Sequence, residues 1–188
     1  MEKQRCAWCE GSDLYRAYHD NEWGVPLHDD DLLFEFLILE GFQAGLSWST
    51  ILNKRENFRI AFDSFDARIV ANYNDEKLEE LMNNAGIIRN RLKIKAAITN
   101  AKLFLEKQKE FGSFDKYIWQ FTSYKTITNR FKELAEVPAT SAISDAMSKQ
   151  LKKDGFKFVG STICYAFMQA TGMVNDHVLS CYRYGEII

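Results

Sequence analysis

A chain of 188 residues with 46% hydrophobic and 14% aromatic residues, 10 Gly and 2 Pro can bury a sizeable core and is too poor in turn formers for a disordered, collagenous or all-β protein. Its formal net charge of −2 excludes polyanion binding through bulk charge and leaves that work to a local basic patch. The N-terminal MEKQRCAWCEGSDLY has no apolar run of signal-peptide length, and the most apolar stretch, Leu32 to Leu39, is broken by Glu35 and closed by Glu40; the expectation is a cytoplasmic protein without membrane spans. In that compartment the four cysteines, Cys6, Cys9, Cys164 and Cys181, read as core residues, metal ligands or reactive thiols rather than disulfides.

The elements follow one another as helices. Asp29, Asp30 and Asp31 precede the apolar LLFEFLILE, which stops at Gly41; acid at the start and apolar residues throughout predict a buried central helix. Ile51, Leu52, Phe58 and Phe62 form one amphipathic stripe. Leu78, Leu81, Met82 and Ala85 form another, with Gly86 as its stop, and Ile94, Ala97, Ile98, Ala101 and Leu105 a third. A short helix is expected over Phe114, Tyr117, Ile118 and Phe121, whereas residues 122–140 carry no clear period. Ser144 can cap a segment bearing Met147 and Leu151, with Gly155 closing it, and a last apolar helix runs from Thr162 to about Gly172. The predicted class is all-α, a single domain over 1–188. Its two lobes are the joined chain ends and a central helical part carrying a hairpin near 145–172.

Three constellations carry chemistry. In NDHVLSCY, His177 and Cys181 are four apart; a helix would put both on one face, which is half of a zinc site. Cys6, Cys9 and His19 are candidates for the other half, and buried small hydrophobes with ordinary histidines are the alternative. The stretch KQLKKDGFKFVGSTICYAFMQATG reads as helix, tight glycine hairpin, helix. Gly160 opens a helix whose first amides, around Ser161 and Thr162, can bind a DNA phosphate, flanked by Lys149, Lys152, Lys153 and Lys157 with Asp154 in opposition. A second basic run, Arg89, Arg91, Lys93 and Lys95, offers further phosphate contacts. Finally, Glu40 ends an apolar helix and leads through GFQAGLSW to Trp48, with Trp8, Tyr18 and Trp23 upstream. One carboxylate among aromatic faces suits a flat cationic ring, although core packing is the common fate of any single aromatic.

YHDNEWGVP, LEGFQAGLSW, KRENFR, AGIIRNR, SDAMSKQLKKDGFKFVGSTICYAFMQATG and VNDHV together resemble the 3-methyladenine DNA glycosylase I family over about Cys6 to Tyr182. The resemblance implies a helix-hairpin-helix glycosylase fold, a structural Zn2+ on Cys6, His19, His177 and Cys181, and hydrolytic excision of N3-methyladenine from double-stranded alkylated DNA by a monomer. It gives Cys9 no role. It also implies a base pocket of Glu40, Tyr18 and Trp48 with Trp8 nearby, in which Glu40 serves catalysis as well as binding and the flipped base lies between Trp48 and Tyr18. The turn at Gly45 and Leu46 approaches the gap that the base leaves, while Lys153, Lys157, Gly160, Ser161 and Thr162 meet the DNA backbone. One departure stands out. The wider superfamily carries a catalytic aspartate two residues before the position of His177; here that residue is Asn175, and Asp176, shifted by one, would point elsewhere on a helix. Two readings compete: a zinc-dependent hydrolase, which needs an open metal position, and a non-catalytic DNA-binding module, which needs no pocket.

Overall fold

The computed structural model describes residues 3–187; the extreme ends of the expected 1–188 domain lie outside them. The described residues form ten α-helices: α1 (Asp13–Asn21), α2 (Asp30–Gln43), α3 (Trp48–Leu52), α4 (Arg55–Ala61), α5 (Ala67–Val70), α6 (Asp75–Asn83), α7 (Arg91–Phe111), α8 (Phe114–Trp119), α9 (Ala142–Lys153) and α10 (Ser161–Ala170). The all-helical expectation needs one amendment. A short parallel pair, β1 (Ile127–Thr128) and β2 (Val174–Asn175), sets Ile127 against Val174 and Thr128 against Asn175. No described helix is long and apolar enough to cross a membrane.

The central helix α2 is apolar on nearly every side, as a helix wrapped by others must be. Leu33 to Phe42 are buried without interruption, against α7, α8 and α10. Asp29 caps it by accepting from the Leu32 amide, while Asp30 turns outward and accepts from the amides of Phe114 and Asp115, closing the start of α8. Glu35, buried inside this helix, is matched by Arg55 and Arg59, the pairing that a buried charge requires. The helix runs two residues past Gly41, the predicted stop, because Phe42 still packs on Phe58 and Phe62.

The hairpin forms as expected in outline. Ser141, not Ser144, is the N-cap of α9; Ser144 is its reciprocal partner in a capping box. Gly155 at φ +99° ends the helix, and Gly160 precedes α10. Gly172 has φ +70°, and a Cβ there would lie 2.3 Å from the Val25 backbone; only glycine lets the chain pass so close before it enters β2. Gly86 is not the stop of α6, whose cap is Asn84.

Candidate functional site

A cavity of about 420 Å³ opens between α1, the ends of α2 and α3, α10 and the 134–138 segment. Glu40 and Gln43, one turn apart on α2, share one wall. Glu40 is the one acidic side chain in the lining, and burial alone pushes its carboxyl up to about 8. Its Oε2 has no hydrogen-bond partner; nor have Gln43 Oε1 and Trp48 Nε1. Buried polar atoms are nearly always paired. Two orphan acceptors and one orphan donor on the wall of a single cavity therefore match a flat ligand with polar edges.

The aromatic residues arrange differently from expectation. The rings of Tyr18 and Trp48 are 5.3 Å apart between centroids, at 42°. A base held between them would need about 7 Å, twice the optimal carbon–carbon contact, so the two form one wall rather than a clamp. Trp8 meets Tyr15 at 5.0 Å and Trp23 at 4.9 Å, both edge to face, giving a second wall. The cavity's outer edge is Leu134, Val137 and Pro138, and its floor includes Ala166 and Gln169. Tyr15, Gln43 and Gln169 were not legible as site residues, although the helical spacing of Glu40 and Gln43 was a usable signal. The 134–138 segment reaches the cavity through the β1–β2 pairing, which no local pattern announces.

Beside this second wall lies the cysteine and histidine group. Ligand atoms of Cys6, His19 and Cys181 lie within 4.8 Å of one another, all buried. Residues 177–181 are not helical; they form a turn in which the Cys181 amide bonds the Val178 carbonyl. Cys181 thus joins the group from a loop, whereas His177, expected as a fourth ligand, is not among the three whose ligand atoms cluster and adjoins them through the His19 ring. His177 donates from Nδ1 to Asn175 Oδ1 at 3.0 Å, which leaves Nε2 as the free lone pair, buried and without a partner. Burial pulls this imidazole down to about 3, so it is neutral, as a metal ligand must be. Its ring lies 4.9 Å from that of His19. The side-chain bond between the two thiols, with help from His19, lowers Cys181 and raises Cys6. Asp20, paired with Arg5, fixes His19 through Nδ1. A Cβ on Gly24 would come within 2.8 Å of the His177 ring. Cys9 is buried, bonds the Cys6 carbonyl and stands outside the group.

Asn175 is wholly buried and donates to the carbonyls of Tyr184 and Ile187, so this position holds the chain end and His177. Asp176 is buried as well, on a stretch that is not helical. It accepts from Tyr165, Gln169 and Asn129.

On the hairpin, Lys149, Lys152, Lys153 and Lys157 are exposed. The first amides of α10 lack intrahelical partners, and the Ser161 hydroxyl is held by Ser144 and Asp145; Thr162 is exposed. Asp154 does not oppose the lysines freely, being engaged by Tyr117 and Gln150. The second basic run is not a phosphate site as a whole: Arg91 pairs with Glu79, and Lys93 is buried, donating to the carbonyls of Phe42 and Ala44. The Gly45–Leu46 turn is exposed, with Gly45 at φ +78°.

The chain matches the sequence model of methyladenine glycosylase over residues 8–184. It is 51% identical over 181 residues to DNA-3-methyladenine glycosylase 1 of Escherichia coli strain K12, covering 96% of this chain and 97% of that protein. A crystal structure of 3-methyladenine DNA glycosylase I superimposes with a TM-score of 0.93 at 50% identity, over 95% of this chain and 98% of the other. A point variant of 3-methyladenine DNA glycosylase I, solved in complex with 3-methyladenine, superimposes with a TM-score of 0.91 at 32% identity, over 95% and 96% of the two chains.

Proposed function

The chain belongs to the methyladenine glycosylase family, and from that premise we infer that it is a DNA repair enzyme hydrolysing the N-glycosidic bond of N3-methyladenine in alkylated DNA. The observation that carries the reading is the cavity with Glu40 buried and unpartnered in its wall. Methylation at N3 makes adenine a cation. Its glycosidic electron pair passes to the base, which leaves neutral, and the sugar cation is captured at C1′ by water, which gives up a proton. With the leaving group activated, the protein works mainly by extruding the nucleotide and holding the base. Glu40 and Gln43 accept from the donor edge of the base, Trp48 Nε1 donates to an acceptor, and the Tyr18–Trp48 and Trp8–Tyr15–Trp23 walls supply stacking. No lysine lines the cavity, which supports hydrolysis without a Schiff base or strand cleavage.

The hairpin amides at Gly160, Ser161 and Thr162, with Lys153 and Lys157, hold a phosphate of the duplex, and Gly45–Leu46 enters the gap. We take the protein to act as a monomer in the cytoplasm. Cys6, His19 and Cys181, with the orphan His177 Nε2, fit a zinc ion. Four protein ligands saturate zinc, so its contribution is to tie the chain ends rather than to activate water. This argues against a zinc hydrolase; Glu40, surplus to a plain DNA-binding module, argues against the other alternative. The test is incubation of methylated DNA with the protein and identification of the released bases. Release of 3-methyladenine is expected, and a duplex left intact despite tight binding would return the protein to the DNA-binding reading.

A further inference from the structure

The buried Lys93 does not serve the basic surface that its sequence neighbours suggest. Its ammonium, on a residue 7% exposed, donates to Phe42 O at 2.8 Å and Ala44 O at 2.6 Å. These carbonyls lie where α2 runs out of intrahelical donors, immediately before the Gly45–Leu46 turn. Seven residues on, Asn100 is 3% exposed. It holds the hairpin at two points, donating to Lys157 O at 3.0 Å and accepting from Lys157 N at 2.8 Å. The next residue, Phe158, has φ +54°, a conformation costly for a bulky residue unless its neighbours impose it. A Cβ on Gly41, next to Glu40, would lie 3.6 Å from Phe158 Cβ. Seven residues make nearly two full turns, so Lys93 and Asn100 share one face of α7, about 10 Å apart along its axis.

We propose that Lys93 and Asn100 are positioning residues for base extrusion. From one rigid helix they fix the spacing between the turn that enters the duplex gap and the hairpin that grips the phosphate. This rests on the DNA glycosylase reading above. A nucleotide leaves the stack only if the wedge and the phosphate anchor act at a set separation, and a helix is stiffer than the loops it holds. Neither residue lines the base cavity, so base recognition itself does not need them.

The test compares Lys93→Met, Lys93→Gln, Asn100→Ala and the Lys93→Met/Asn100→Ala double variant by single-turnover release of 3-methyladenine from methylated duplex and from methylated single strands. Binding of free 3-methyladenine is followed by calorimetry. Duplex release is expected to fall at least tenfold in Lys93→Met and Asn100→Ala and less in Lys93→Gln, which keeps one donor. Single-strand release and free-base affinity should stay within about twofold of the wild type. The double variant should lose little beyond the worse single, because one broken end already frees the spacing. Equal losses on duplex, single strand and free base would reduce both residues to structural support and overturn the proposal, as would full duplex activity in both single variants. Failure of the wild type to release any base would remove the glycosylase reading itself, before any variant is compared.

Discussion

The cavity and the cysteine–histidine group touch at Trp8 and Trp23, yet they treat buried polarity in opposite ways. In the cavity wall, Glu40, Gln43 and Trp48 each carry a buried polar atom without a protein partner, an arrangement that costs stability. In the neighbouring group, Arg5 and Asp20 hold His19 and Asn175 holds His177 from outside, leaving His177 Nε2 without a partner. On the function proposed above, the first region would be completed by an incoming base and the second by a structural ion. Recognition and stability are thus separated over a few ångströms, and substitutions should move one without the other.

The largest effect is expected from Cys181→Ala or removal of zinc by a chelator. Losing a structural metal costs several kcal/mol, and at roughly 2–4 °C per kcal/mol for a chain of this size the melting temperature should drop by about 10 °C. Cys9→Ala should shift it by only a few degrees. Equal shifts would undo the distinction between ligand and bystander, and elemental analysis should find one zinc per chain.

Next comes Glu40→Gln, which keeps the shape and removes the charge. Release of 3-methyladenine should slow about tenfold, mostly through weaker binding, because the leaving group is activated by its own charge. The pH profile gives the sharper test. A cationic base prefers the ionised carboxylate, so kcat/KM of the wild type should rise with pH to a plateau above about 8, a limb that Glu40→Gln should lack. Stability runs the other way. The carboxyl sits at about 8 in the folded protein against an ordinary 4.5, so the folded state holds the extra proton. Its benefit is full below the unfolded value and is lost as pH rises through about 8. Glu40→Gln should therefore gain in melting temperature relative to wild type at pH 9 and not at pH 4.

Asn175→Asp should not create excision of a neutral base such as hypoxanthine. It replaces the amide that donates to Tyr184 and Ile187 by an acceptor, and a loss of about 1–3 kcal/mol in thermal stability is expected. Efficient release of hypoxanthine would give this position the chemistry denied to it here. The smallest effect belongs to Lys157→Ala. Damaged and undamaged duplexes should bind more weakly by a similar factor, and the slope of log affinity against log salt should flatten by about 0.9. A change in which base is released would remove the hairpin from the phosphate.

What could be read from the chain depended on how local the cause was. The run Leu32 to Leu39 can only be a core helix, and Gly155 and Gly160 bracket a turn whatever surrounds them. Glu40 and Trp48 were found because a carboxylate inside an apolar run is expensive and because the blocks around them resemble a known family. Lys93 was misread because a lysine among basic neighbours looks solvated; two carbonyls some fifty residues earlier in the chain turn it inward. Residues 134–138 stayed dark for the same reason, as β1 is defined only by its partner at 174–175. The spacing of His177 and Cys181 assumed a helix that is not there: a turn carries Cys181 to Cys6 and His19, while His177 stands beside them against the His19 ring.

Trp8 belongs to both regions, with its ring on the cavity wall and its centroid 5.4 Å from that of the His19 ring. An indole's emission responds to stacking, polarity and nearby ionic quenchers, and this one adjoins the cavity on one side and the cysteine–histidine group on the other. Trp23 shares this double position, lining the cavity with its ring centroid 4.6 Å from that of His177, so the fluorescence of the four tryptophans should respond both to titration with base and to treatment with a chelator.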